Sequence, residues 1–175
     1  VKSVFWGRLC FPVICVLVWL SGADPVFAGM DKPFVAGWSE RVLIYPSGMI
    51  VNAKLDSGAK TSSINARGVE QFQKDGQDWV RFQFKNTRGE KTIIEQPVVR
   101  VVRIKDLGRK PQVRQVIRLG VCLGRYFKEA EFTLSNRKGF AFPLLLGRRF
   151  LDDKVLVASA KRRITTPDCK EGISR

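Results

Sequence analysis

Histidine is absent from all 175 residues, and this excludes a large share of hydrolytic chemistry. Ser-His-Asp and Cys-His mechanisms need an imidazole to carry the proton near neutral pH, so neither is open to this chain. With no imidazole and only four cysteines, the usual zinc ligand sets cannot be assembled, and no metal is expected. No phosphate-binding glycine loop occurs, so no cofactor is expected either. Internal repeats and low-complexity blocks are missing. So is helical periodicity: apolar residues recur every two positions along nearly the whole chain, the spacing of strands. Acid is scarce too, with 16 Asp and Glu against 31 Lys and Arg, a formal net charge of +15.

The opening stretch reads as a targeting segment. Lys2 and Arg8 flank an apolar run from Leu9 to Leu20, and Val26-Phe27-Ala28 before Gly29 follows the small-residue cleavage rule loosely. The run is short for a membrane span. Residues 1–28 are therefore expected to be a signal peptide, or a membrane anchor if retained, and the protein to reside in the periplasm or cell envelope. Residues 29–160 form the expected folded domain, and 161–175 a basic, frayed tail. Beyond residue 28 the chain keeps 29 basic and 15 acidic residues, a balance that attracts anionic envelope surfaces. Export argues against nucleic acid as a partner. Cys10 and Cys15 fall in the leader. Cys122 and Cys169 remain, and two readings stay open: a disulfide, or a buried small hydrophobe at Cys122.

Strands dominate the rest. Arg41 to Tyr45 and Met49 to Leu55 flank Pro46-Ser47-Gly48, a hairpin. Val80, Phe82 and Phe84 alternate with polar residues, and the turn Asn86-Thr87-Arg88-Gly89 leads to Lys91 to Ile94 as a second hairpin. Pro97 sets Val98 to Ile104 apart as a separate or edge strand. Gly108 to Pro111 turns the chain, and Ile117, Leu119, Val121 and Leu123 share one face of the next strand. Tyr126 to Leu134 alternates again, only Arg148 to Asp153 looks helical, and Val155 to Ala158 is expected to close the sheet. Such short strands in so short a chain predict an all-β small closed barrel with one short helix near the C-terminus.

Asp56-Ser57-Gly58-Ala59 stands where the strand Val51 to Leu55 enters a tight turn. A carboxylate delivered there is rigid, Ser57 can support it with a hydrogen bond, and Gly58 permits close approach. Alone, such a tripeptide is usually an ordinary turn. Well downstream, Leu145-Leu146-Gly147-Arg148 runs from an apolar strand into a helix start. Together these two elements resemble the retropepsin-like aspartic peptidases. A closer resemblance, to a bacterial retropepsin-like family often labelled ATP-dependent zinc proteases, spans Gly37 to Val157. It is carried by Ala53 to Ser63, Arg114-Gln115-Val116-Ile117 and Leu134-Ser135-Asn136-Arg137. Asn65 and Asn136 stand where that family commonly has His and Asp.

The resemblance implies an aspartic endopeptidase acting on a peptide or protein, with Asp56 catalytic and Ser57, Gly58 and Ala59 forming its loop. Leu146, Gly147 and Arg148 would support that loop, and Asn86, Thr87, Arg88 and Gly89 would be the flap. One carboxylate is a poor base at neutral pH, whereas two held together share a proton. Each chain offers one such aspartate, so the resemblance implies a homodimer with paired Asp56 loops. A different class stays open: a non-catalytic module using the same fold to grip peptides or cell-wall stems. Arg114, Arg118 and Arg137 are either contacts for an acidic substrate or a solvated strand face. Trp38 and Trp79 read as core or interface fillers.

Overall fold

The computed structural model describes residues 32–106, 109–137 and 139–169, all within the unit Asp31–Arg175. The expected leader, residues 1–28, lies outside them. Among the described residues no helix is long and apolar enough to cross a membrane.

The first hairpin is longer than its apolar pattern suggested. β1 (Phe34–Tyr45) pairs antiparallel with β2 (Met49–Asp56), and Val42, Ile44, Val51, Ala53 and Leu55 point into the core. There follow β3 (Ser62–Asn65), β4 (Arg67–Lys74), β5 (Gln77–Lys85), β6 (Lys91–Pro97), β7 (Arg100–Asp106), β8 (Arg109–Leu123), β9 (Tyr126–Ser135) and β10 (Leu144–Gly147). The helix α1 (Arg148–Leu151) and a 3-10 turn (Asp152–Lys154) then lead to β11 (Val155–Arg162).

Eight strands form one sheet in the order β11-β1-β2-β10-β3-β9-β8-β7. This sheet curls back on itself because the end of β1 also pairs with β8, at Leu43–Cys122 through Tyr45–Gly120. Six strands thus close a small ring around Ile117, Leu119, Val121, Phe132, Leu144 and Leu146. The closure is short, and β7 and β11 extend past it, so the fold is an all-β retropepsin-like architecture rather than a clean barrel. β11 does not close the sheet, as its position in sequence suggested. It lies parallel to β1 on the outer edge, since β1 already reaches β8 directly.

The remaining strands form a three-stranded sheet, β4-β5-β6. Val80, Phe82, Phe84 and Ile94 on its inner face join the main core. β4 is different, with seven of its eight residues exposed and Phe72 half-buried.

The chain after Lys161 was expected to fray, yet it is held as far as Cys169. Glu40 is fully buried and its carboxylate accepts from the amides of Gly37, Ile164 and Thr165 and from the Thr165 hydroxyl, at 2.6–3.0 Å. Four donors satisfy the charge that burial would otherwise make costly. Cys122 and Cys169 form a disulfide, which settles the alternative left open by the sequence.

Candidate active site

Asp56 is the last residue of β2, and its position is set from behind by β10. The two strands run parallel in register from Ala53–Leu144 to Asp56–Gly147. The loop after Asp56 folds over the start of α1, where the amides of Arg148 and Arg149 donate to the carbonyls of Ala59 (2.8 Å) and Lys60 (3.2 Å). The Gly147 amide donates to the buried Ser62 hydroxyl at 3.1 Å. A Cβ on Gly147 would lie 2.6 Å from the Thr61 carbonyl oxygen and 2.9 Å from that of Ala59, closer than atoms tolerate. Glycine is required here because two backbones touch. The apolar-Gly-Arg element and the Asp-Ser-Gly-Ala loop are therefore one structural unit.

The Asp56 carboxylate receives the Gly58 amide at 3.1 Å and forms an ion pair with Lys54 at 3.1 Å. Burial pushes its pKa up, but the Lys54 hydrogen bond and charge, with the amides of Gly58 and Ala59, outweigh this and hold it below the ordinary value of 3.8. Lys54 lies two residues before Asp56, so both side chains emerge on the same face of β2.

The sheet register carries that face across its neighbours, because directly paired residues point the same way. Lys54 pairs with Leu145, Leu145 with Ser63, Ser63 with Thr133, Thr133 with Val116 and Val116 with Arg100. Arg137 is fastened over this row. Its Nη1 donates to Ser63 Oγ at 3.0 Å, its Nε to the Phe142 carbonyl at 3.0 Å, and its guanidinium lies 4.8 Å from the Phe140 ring centre. Among the described residues no carboxylate is ion-paired with Arg137. Burial and the charge of Arg114 lower its pKa, while the Asp56 carboxylate works to raise it. Asp56 thus faces a cationic surround of Lys54 and Arg137, with Arg114 next to Arg137.

The residues singled out in the sequence are placed as follows. Asp56, Ser57, Gly58 and Ala59 form one turn, with the Ala59 amide donating to the Asp56 carbonyl at 3.2 Å. Ser57 is exposed and its hydroxyl makes no hydrogen bond among the described residues. Leu146 is buried beneath the loop. Arg148 supports the loop through its backbone amide, whereas its exposed side chain lines a groove of about 440 Å³ with Ser57, Leu151, Asp152 and Leu156.

Among the described residues the Asn86–Gly89 turn makes no hydrogen bond to the Asp56 loop. Asn86 accepts from the amides of Arg88 and Glu90 and donates to the Ile50 carbonyl, while Asn52 donates to Thr87. This fastens the turn to β2 at a point four residues before Asp56, about 13 Å along the strand. The hairpin that stands freer is β4–β5. Its tip, Asp75-Gly76, has φ of 52° and 72° at the two positions, the pattern of a tight two-residue hairpin. Lys54 is the site residue that the sequence reading missed, and the Asp75-Gly76 hairpin tip is the turn that it missed. Lys54 lies inside the Ala53–Ser63 motif, where the sequence reading assigned it no role, and Asp-Gly between polar runs is itself a hairpin signal.

Trp38 packs edge-on against Phe142, and Trp79 packs on Phe72 with Lys74 above it. Asn65 is buried and accepts the Arg137 amide at 2.8 Å. Among the described residues no three Cys, Asp or Glu side chains come together as a metal site.

Residues 35–168 match the family model described as retropepsin-like aspartic endopeptidase RimB. The chain belongs to the RimB-like family. The match takes in the Asp56 loop, the Gly147 contact and the C-terminal segment held by Glu40. The RimB-like chain is also similar to proteins named probable alpha-L-glutamate ligase. It is 34% identical to that of Desulfotalea psychrophila over 128 residues, which is 71% of this chain and 28% of the relative. It is 34% identical to that of Shewanella halifaxensis over 132 residues, or 73% of this chain and 29% of the relative. This RimB-like chain therefore spans under a third of the length of those relatives. Among solved structures, the crystal structure of protein Lpg0085 from Legionella pneumophila, of unknown function, superposes with a TM-score of 0.65 at 29% identity. The superposition covers 75% of this chain and 98% of that one.

Proposed function

We propose that this RimB-like chain is an aspartic endopeptidase that becomes complete when two chains bring their Asp56 loops together. The observation that carries this reading is the loop itself: a carboxylate at the end of a strand, fixed from behind by Gly147, with Ser57 exposed in front. Two such carboxylates in contact cannot both ionise and would share one proton. In the reaction, one carboxylate takes a proton from water as the water oxygen bonds to the scissile carbonyl carbon, and the other gives its proton to the carbonyl oxygen. Collapse of the tetrahedral intermediate breaks the C–N bond, and the departing nitrogen takes up a proton.

The substrate we propose is an acidic peptide bearing glutamate. The cationic surround of Asp56 supports this, and so do the relatives whose names concern glutamate ligation. The exposed tip of the β4–β5 hairpin, around Asp75-Gly76, joins the Asn86–Gly89 turn in this proposal as a candidate for the element that covers bound peptide. The disulfide fits an oxidising compartment, which supports an exported protein in the periplasm or envelope.

One observation favours the second reading, a peptide-binding module without catalysis. Lys54 holds Asp56 ionised in the single chain, which opposes proton sharing. Asp56→Asn separates the two. Incubated with glutamate-rich peptides, the wild type should cleave and the variant should bind without cleaving. Binding without cleavage by both proteins would establish the module.

A further inference from the structure

We infer that the outer face of β7, β8 and β9 beside the catalytic loop is a docking site for an acidic polypeptide segment, gripped by Arg100, Arg118 and Arg149. The inference rests on the proposed acidic substrate for the kind of chain bound, but its geometry is independent of catalysis.

The site follows from strand alternation. On β8, Ile117, Leu119 and Val121 point into the core, so Val116 and Arg118 point outward. Arg118 pairs across to Glu131 and Val116 to Arg100, which puts all of them on one surface. Arg149 reaches the same place from α1. A hollow of about 390 Å³ has Val102, Ile104 and Thr133 on its floor and Lys60, Arg100 and Arg149 on its rim. A second hollow of about 360 Å³, lined by Arg118 and Lys128 among others, shares Arg149 and Glu131 with the first. Together they make an elongated groove.

Glu131 shows how the groove handles a carboxylate. Its Oε2 accepts from Arg100 Nη2 at 2.6 Å and Nε at 3.1 Å, with Arg149 Nη1 3.8 Å away. Arg118 is exposed, and among the described residues it forms no ion pair, although its charge acts on Glu131. Lys128 is already committed to the Arg149 carbonyl and to Asp152. Even counting Glu129 on the rim of the second hollow, cations outnumber carboxylates.

An apolar floor beneath a cationic rim suits side chains with methylene groups below a carboxylate, which favours an acidic polypeptide over inorganic phosphate or a lipid headgroup. Lys60 and Thr61, which follow the Asp56–Ala59 turn in sequence, line the first hollow, so a segment lying in it is held beside that loop.

The test uses the Asp56→Asn protein, so that bound peptide survives, and a fluorescein-labelled hexaglutamate followed by anisotropy. The pair Arg118→Ala with Arg149→Ala should weaken binding roughly tenfold, two exposed charge contacts' worth. Lys85→Ala with Lys91→Ala removes the same charge from the three-stranded sheet and should change it less than about twofold. Thermal melts confirm that each variant is folded. Equal weakening by both pairs means diffuse attraction and overturns the site. So does loss of binding to phosphatidylglycerol vesicles, or to inorganic phosphate, with the peptide unaffected. If the wild type cleaves no peptide while the arginine pair still controls binding, the docking site stands and the peptidase reading falls.

Discussion

The β2–β10–β3 region and the β4–β5 hairpin are opposites in construction, although only Ala66 separates β3 from β4. Around Asp56, buried Leu55, Ile64, Leu144 and Leu146 pack beneath a loop whose backbone contacts leave no room for a methyl group on Gly147. In the hairpin, β4 is exposed along almost its whole length, and what holds it is its ladder to β5, a Phe72–Trp79 contact and cations over those rings. The lesson is a division of labour between stability and adaptability. A carboxylate proposed to meet a twin needs a fixed address, whereas an element proposed to cover varied peptides gains from having few buried contacts.

The largest test of this contrast is Asp56→Asn. It should lower peptide cleavage on the order of 1000-fold or more, measured as kcat/KM, with the melting temperature nearly unchanged. Cleavage that survives would place the chemistry elsewhere. Gly147→Ala should cost about 2–3 kcal/mol in urea unfolding, because the new methyl is forced against two carbonyls. An unaltered midpoint would mean the loop yields, removing the rigid half of the comparison.

Phe72→Ala on the hairpin should do the reverse, costing under about 1 kcal/mol of stability while lowering kcat/KM for peptides roughly tenfold. A large stability loss with unchanged kinetics would make the hairpin structural.

Lys54→Met should have the smallest effect, a shift in pH dependence. Asp56 is held below 3.8, with burial opposed by Lys54 and the loop amides. The stabilisation from its ionised form is therefore present above that ordinary value and is lost as pH falls through the lowered folded pKa. Without Lys54 the Asp56 pKa rises, and the acidic limb of the activity profile should move to higher pH. An unmoved limb would mean that the second Asp56, rather than Lys54, governs titration.

Legibility in the sequence followed how each segment is buried. Strands with one buried face, such as Met49 to Leu55 and Ile117 to Leu123, announced themselves by alternation. β3 did not, because its residues Ser62, Ser63, Ile64 and Asn65 are all buried although three are polar. Neighbouring strands enclose them, and their side chains accept from the Gly147 amide at Ser62, the Arg137 guanidinium at Ser63 and the Arg137 amide at Asn65. β4 stayed hidden for the opposite reason, since two exposed faces leave no pattern. The Asn86–Gly89 turn was read correctly as a turn, but its anchoring to Ile50 and Thr87's bond with Asn52 depend on contacts across about 35 residues.

Local chemistry thus determined the strand-rich class, the exclusion of imidazole mechanisms and the pairing of an Asp-Ser-Gly-Ala turn with an apolar-Gly-Arg element. Only the tertiary structure decided that Lys54 and Arg137 surround Asp56, that the segment up to Cys169 is clasped by Glu40, and that Arg100, Arg118 and Arg149 share a groove. The reason is that alternation along one strand says which way a side chain points, whereas register between strands far apart in sequence decides which side chains it meets.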